Sequence, residues 1–390
     1  MNILKFIASI PWSGGANRVF LYSRELKRCG HTVIGCCLPG SEVEARLRRE
    51  GIQVIAIDPK FDTNLFMVRK IRRIIKEHNI DIIDIHSPKF YWIASIAGKL
   101  TETPVIITRN VPYRKTGIKK HINRILYYFL VDKVIAISDK IKREFIKDFE
   151  INHEKIAVIY DGIDISKFRR IKKESRFILD KIIRIGVISR LDNGKGLECL
   201  IDAIPEIANT YPNINVIVVG TGGIEQKLKL QAKSLNIADK VIFTGFKENI
   251  PDILSTIDIT IMPSPDEGMS MSALESMSCG VPVVATSGGG LVDIIVNMQT
   301  GVIVAPNNHK QLAEGTIRLL KSDYRKIGYA ASKVIEQKFA IKQVVSQYES
   351  LTRKLCQLND NSQNIDKSNP TNTRLPSEKK PSFAECLQES

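Results

Sequence analysis

Two glutamates eight residues apart, Glu267 and Glu275, stand in the stretch Glu267-Gly-Met-Ser-Met-Ser-Ala-Leu-Glu275-Ser-Met-Ser-Cys-Gly-Val-Pro-Val-Val-Ala-Thr286. The turn Pro263-Ser-Pro-Asp-Glu-Gly268 comes just before. The pattern predicts a helix that opens near Met269 or Ser270 and stops at Cys279-Gly280. Glu267 then sits at the helix entrance and Glu275 well inside, roughly 12 Å apart along the axis. The helix start at Gly268, Met269 and Ser270 offers unpaired N–H groups and a positive dipole end, which suit a diphosphate or a sugar hydroxyl. Carboxylates can accept paired hydrogen bonds from vicinal hydroxyls. An isolated pair of helix glutamates is ordinarily solvent-facing, so the surrounding residues decide its meaning.

A second stretch, Gly186-Val-Ile-Ser-Arg190-Leu-Asp-Asn-Gly-Lys195-Gly196, follows a predicted strand and opens a helix. Arg190 offers a forked donor and Lys195 a point charge. Gly194 and Gly196 permit a tight loop next to a ligand. Together they could neutralise a leaving diphosphate, often the largest catalytic contribution. Gly14-Gly15-Ala-Asn-Arg18 and Gly220-Thr-Gly222-Gly223 each follow a strand as well. Such a turn can approach a phosphate or serve only as a βα connection. His86 ends the run Asp81-Ile-Ile-Asp-Ile-His86, on the same strand face as Asp84, which could orient its ring.

The elements that must hold these residues repeat twice. Short β-branched strands (Ile3–Ile10, His31–Cys37, Gln53–Ile57, Ile82–His86, Val105–Thr108, Val134–Ile137, Ala157–Ile159) alternate with amphipathic helices. The first helix, Ala16–Gly30, is predicted to bury Val19, Phe20, Tyr22, Leu26 and Cys29. A fresh series runs from Ile182–Ile188 to Gly301–Val304. This alternation predicts βαβ units, parallel sheets and an α/β class with two doubly wound domains. The expected boundaries are a first domain at 1–165, a linker at 166–181, a second domain at 182–335, a returning C-terminal helix at 336–358 and a polar tail at 359–390. A chain of 390 residues with 43% hydrophobic content has room for two cores.

The Glu267–Thr286 stretch resembles the E-x7-E signature of retaining glycosyltransferases of family 4. Gly186–Gly196 resembles that family's G-R-L-x-x-x-K-G loop, with Ser189 where Gly is usual, and Ile159-Tyr-Asp161-Gly-Ile-Asp164 its N-G-[IV]-D turn, with Asp161 in place of Asn. The Gly14–Arg18 turn is similar to G-G-x-E-R, with Asn17 for Glu. The resemblance covers residues 1 to about 355 and implies a GT-B fold, two Rossmann-like domains facing across a cleft. It implies a retaining enzyme that moves a sugar from a nucleotide-diphosphate sugar to a glycan or lipid-linked acceptor in cell-surface polysaccharide or lipopolysaccharide assembly. By the same resemblance Glu267 contacts the transferred sugar, Glu275 the ribose and His86 the donor sugar. Arg190, Lys195 and the helix start stabilise the departing phosphate, Gly15 and Gly222 lie near the donor, and no cofactor or metal is required. A nucleotide-sugar epimerase, a sugar-phosphate synthase and a silent nucleotide-sugar-binding protein are the rival readings.

The net charge of +15 favours anionic partners. No nucleic-acid module accompanies it, and nucleic acid is not expected as a partner. The stretch Tyr113–Tyr128 carries Arg114, Lys115, Lys119 and Lys120 among apolar residues. It reads either as an interfacial helix on an anionic membrane or as a surface helix with one buried face. Its cations are the candidate acceptor or membrane contacts. Seven scattered cysteines read as free thiols. No run reaches the ~20 apolar residues of a membrane span, and Lys5 interrupts the apolar N-terminus. The expected location is the cytoplasm, at the inner face of the cytoplasmic membrane.

Overall fold

The computed structural model describes residues 1–10, 12–60, 64–110, 117–169 and 182–368. The chain divides into two compact units, Met1–Tyr160 with the chain from Val344 onward, and Asp161–Gln343.

The first unit runs β1 (Asn2–Ile7), α1 (Gly14–Arg28), β2 (Thr32–Cys37), α2 (Glu42–Arg49), β3 (Gln53–Ala56), α3 (Leu65–Glu77), β4 (Ile82–Ile85), α4 (Tyr91–Leu100), β5 (Val105–Arg109), α5 (Ile118–Ile125), β6 (Lys133–Ala136), α6 (Asp139–Phe149) and β7 (Ile156–Val158). Its parallel sheet has the order β3-β2-β1-β4-β5-β6-β7. The chain winds one way through β3 and the other way from β4. The crevice where the winding reverses therefore lies beyond the carboxyl ends of β1 and β4. Both strands are almost wholly buried, as a sheet covered on both faces requires.

The second unit runs β8 (Ile183–Ile188), α7 (Leu197–Thr210), β9 (Ile214–Val219), α8 (Glu225–Ser234), β10 (Val241–Gly245), α9 (Ile250–Thr256), β11 (Ile259–Met262), α10 (Met271–Ser278), β12 (Val283–Thr286), β13 (Gly301–Val304), α11 (His309–Lys321) and α12 (Tyr324–Lys338). The order β10-β9-β8-β11-β12-β13 puts its reversal between β8 and β11. Ile185, Val187, Leu200, Ile204, Val216 and Ile261 belong to the core between sheet and helices.

Several boundaries differ from the sequence expectation. The first strand stops at Ile7, and α1 begins at Gly14 because the Ser13 side chain caps it by accepting from the Ala16 N–H. Both glycines of the predicted turn thus lie in the first helical turn. Cys29 is the C-cap residue and is exposed rather than part of the buried face. The unit boundary falls at Asp161. The Ile163 N–H donates to the Phe339 carbonyl (2.8 Å) and the Ile341 N–H to the Ile163 carbonyl (2.9 Å), which ties this stretch into the second unit. Most of the expected linker lies outside the described residues. The last helix, α13 (Ile341–Ser368), continues beyond position 358, where a tail was expected.

Candidate active site

At the reversal point of the second unit, two loops meet. The loop after β8 carries Arg190 and Lys195, and the loop after β11 carries Glu267. Lys195 Nζ lies 2.9 Å from Glu267 Oε1, with both side chains partly buried. The two motifs are thus one site. Arg190 pairs instead with Asp192 of its own loop, at 2.8 Å, and is largely exposed.

Backbone contacts set the shape of these loops. The Leu191 N–H donates to the Thr221 carbonyl, the Ser189 N–H to Val219 and the Gly220 N–H to Gly245. A Cβ at Gly196 would fall 2.0 Å from the Pro263 carbonyl oxygen, and one at Gly222 would fall 2.2 Å from that of Leu191. Gly196 also has a positive φ of 71°. These glycines let one loop lie directly on the next. Gly222, expected near the donor, therefore has a packing reason of its own.

Helix α10 starts at Met271, one residue after the later of the two expected points. Ser270 is its cap, with the hydroxyl oxygen accepting from the Ala273 N–H and the hydroxyl facing Met262 Sδ at 3.6 Å. Gly268, Met269 and Ser270 are buried. What this entrance can offer a ligand is backbone N–H groups rather than side chains. The Gly290 N–H donates to the Gly268 carbonyl at 2.9 Å, closing a small hollow lined by Glu267, Ser270, Thr286 and Leu291. Inside the helix, burial pushes the Glu275 carboxyl up to about 7, and the Lys167 charge offsets this only in part. Phe246 is exposed just beyond β10.

At the reversal point of the first unit, His86 follows β4 and the α1 entrance follows β1. A Cβ at Gly15 would meet Asn110 Nδ2 at 3.0 Å. His86 is buried, and its Nε2 lies 3.0 Å from Asp84 Oδ2, the orientation suggested by their shared strand face. Three further residues meet Asp84. Thr108 Oγ1 donates to Oδ1 at 2.9 Å and the Tyr348 hydroxyl to Oδ2 at 3.1 Å, while Lys5 makes a short ion pair with Oδ2. Sequence reasoning missed Lys5, Tyr348 and Asn110. The one available signal was a lysine inside a strand that is otherwise apolar. Burial would raise the Asp84 carboxyl, but the facing His86 and Lys5 outweigh it and hold the group well below the usual carboxylate range. Burial lowers His86, with Asp84 offsetting only part.

Arg114 and Lys115 lie outside the described residues. Lys120 pairs with Asp148 at 3.6 Å. Nearby, Ile122 is exposed beside exposed His121 and half-buried Arg124, while Tyr127 is fully buried against Phe145 and Phe149, so an apolar side chain stands among polar ones on the outer side. His31 Nε2 lies 2.6 Å from Glu349 Oε1. Among the described residues, no helix is long and apolar enough to cross a membrane, and no group of His, Cys, Asp or Glu forms a metal-binding cluster.

Known proteins are similar to this chain in sequence and in fold. A model described as Glycosyltransferase Family 4 matches residues 12–167, and one described as Glycosyl transferases group 1 matches residues 168–334. An uncharacterized glycosyltransferase of Methanocaldococcus jannaschii is 32% identical over 48% of this chain and 50% of its own length, so the chain spans half of that relative. The Escherichia coli UDP-Gal:alpha-D-GlcNAc-diphosphoundecaprenol alpha-1,3-galactosyltransferase is 23% identical over 63% of this chain and 68% of its own. The structure of Anabaena HepE in complex with UDP-glucose has a TM-score of 0.78 at 22% identity, covering 90% of this chain and all of that one. With a Rossmann-like sheet in each unit and the two matched regions adjoining across the chain, the protein belongs to the GT-B glycosyltransferases of family 4 and group 1.

Proposed function

We propose that the protein transfers a sugar, with retained configuration, from a nucleotide-diphosphate sugar to a glycan or lipid-linked acceptor during cell-surface polysaccharide assembly. The observation that carries this reading is the Lys195–Glu267 ion pair at the reversal point of the second unit. A partly exposed pair of this kind is worth about 1 kcal/mol or less. An incoming diphosphate therefore takes the Lys195 ammonium at little expense and frees the Glu267 carboxylate to accept from a sugar hydroxyl. Arg190 can leave Asp192 in the same way. With the N–H groups at the start of α10, these cations stabilise charge as the sugar–phosphate bond breaks. The acceptor oxygen bonds to the same face of the sugar, and its proton passes to the departing phosphate. Glu267 positions the sugar and forms no covalent bond.

The UDP-glucose bound by the Anabaena protein and the lipid-linked acceptor in the name of the Escherichia coli relative support the two substrate classes. The protein's own cations supply the charge at the leaving group, so the reading requires no bound metal. Around Ile122, the basic stretch serves as a peripheral contact with an anionic membrane at its cytoplasmic face.

The test is a panel of UDP-, GDP- and ADP-sugars assayed for hydrolysis and transfer, with the product anomer read by NMR and a chelator added in parallel. Turnover of one nucleotide's sugars, with retention and no chelator effect, is the expected result. An inverted product would refute the mechanism, and calorimetric failure to bind any nucleotide sugar would refute the function.

A further inference from the structure

Asp84 is surrounded by donors. Thr108 reaches Oδ1, while Lys5, His86 and Tyr348 reach Oδ2. An ionised carboxylate only accepts, and here one donor meets Oδ1 and three crowd Oδ2. The carboxylate has no proton to give, so the hydrogen between Asp84 and His86 belongs to the imidazole Nε2. His86 Nδ1 is then a bare acceptor. It is buried and has no hydrogen-bond partner among the described residues. A buried polar atom left unpaired is destabilising by about 1–3 kcal/mol. This one stands just beyond β4, at the reversal point where α/β sheets take their ligands.

We propose that Asp84, held by Lys5, Thr108 and Tyr348, fixes His86 as the tautomer protonated on Nε2, so that Nδ1 accepts a hydrogen bond from a substrate hydroxyl. His86 is the residue that touches substrate, and Asp84 and Tyr348 are positioning residues. Tyr348 makes the C-terminal helix α13 part of this machinery. Its hydroxyl donates to Asp84 and stands 3.4 Å from Lys5 Nζ, and its ring lies 4.4 Å from the same ammonium. Glu349, the next residue, is held by His31. The charged and titratable groups facing the imidazole are Asp84, Lys5 and Arg18; burial, with the Lys5 and Arg18 charges, lowers its pKa against the opposing pull of Asp84.

That His86 meets a substrate hydroxyl at all rests on the transferase reading, whereas its tautomer and the positioning by Asp84 and Tyr348 do not. The test is therefore split. The full chain is labelled with 15N-histidine, and the His86 signals are assigned by their loss in His86→Gln. The expected spectrum shows a protonated Nε2 and an unprotonated Nδ1. In Asp84→Asn the amide can donate to Nε2, so the proton should move to Nδ1 and kcat should fall by about 100-fold or more. Should that variant fail to fold because Lys5 loses its counter-charge, Tyr348→Phe serves instead. It keeps the ring, and a mixed tautomer with a 5- to 20-fold lower kcat, on the order of one lost hydrogen bond, is expected at an unchanged KM for the nucleotide. A wild-type Nδ1 that carries the proton would overturn the proposal, as would a Tyr348→Phe protein with unchanged tautomer and kcat. The spectra need no substrate. The expected tautomer in a protein that turns over no nucleotide sugar would overturn the transferase reading and leave the assigned tautomer standing.

Discussion

Lys195 and Glu267 lie 72 residues apart in the chain and 2.9 Å apart in space, joining the loops that leave β8 and β11. Lys195→Ala and Glu267→Gln should each lower kcat by about 100-fold or more, the scale of losing one preorganised charged partner. Arg190→Ala should act in the same direction. None should shift the melting temperature appreciably, because ion pairs this exposed are worth about 1 kcal/mol or less. Steady-state kinetics with parallel thermal melts separate the two effects. A Lys195→Ala enzyme within twofold of wild type would remove that residue from the mechanism.

Glu275 gives a pH dependence with a defined sign. Its folded carboxyl titrates at about 7, above its ordinary value of 4.5. Its stabilising contribution is complete below pH 4.5 and is lost as pH rises through 7. At about 1.4 kcal/mol per unit this amounts to roughly 3 kcal/mol. Glu275→Gln should therefore melt higher than wild type at pH 8 and match it near pH 4.5. Donor affinity should run the other way. Ribose hydroxyls donate to the ionised carboxylate, so wild-type binding should tighten between pH 6 and pH 8, and the variant should show neither strong binding nor that trend. Calorimetry at three pH values suffices.

Two adjacent glycines separate packing from flexibility. Gly222→Ala would press a methyl group onto the Leu191 carbonyl, whereas Gly223 has nothing within 4 Å of a Cβ. Gly222→Ala should be destabilising by about 1–3 kcal/mol and should weaken donor binding by displacing the Arg190 loop. Gly223→Ala should be neutral or stabilising by up to about 1 kcal/mol. Equal denaturation midpoints for the two variants would contradict the close loop packing.

For the basic stretch, replacing Lys119 and Lys120 by Glu should abolish cosedimentation with phosphatidylglycerol vesicles and leave the weak background on phosphatidylcholine unchanged. Added salt should release the wild-type protein, since the attraction is screened within about a Debye length. Vesicle binding that resists both changes would argue for an apolar anchor.

The doubly wound pattern was legible because parallel strands are buried on both faces and so appear as short β-branched runs, as in Ile82–Ile85 and Ile259–Met262. The meeting of Lys195 with Glu267 could be anticipated once both followed strands of the same series. The start of α1 at Gly14 could have been read from Ser13, a strong capping type. The charge network could not be read in this way. Lys5 is 79 residues from Asp84 and 343 from Tyr348, so no local periodicity links them. In the sequence Lys5 is only an interruption of an apolar strand. Its meaning comes from register, since β1 pairs with β4 so that Lys5 stands beside Asp84.

The position of Tyr348 also bears on how the chain is made. Roughly 180 residues of the second unit are translated between the end of β7 and the helix that supplies Tyr348. At about 5–20 residues per second that is on the order of 10 s or more. Throughout that interval the nascent first unit must hold Lys5, Asp84 and His86 without the phenol that completes their hydrogen bonding. Vectorial synthesis therefore delivers the second unit whole before the first can close, and a helix made after the second unit completes the hydrogen bonding of the first sheet to be made.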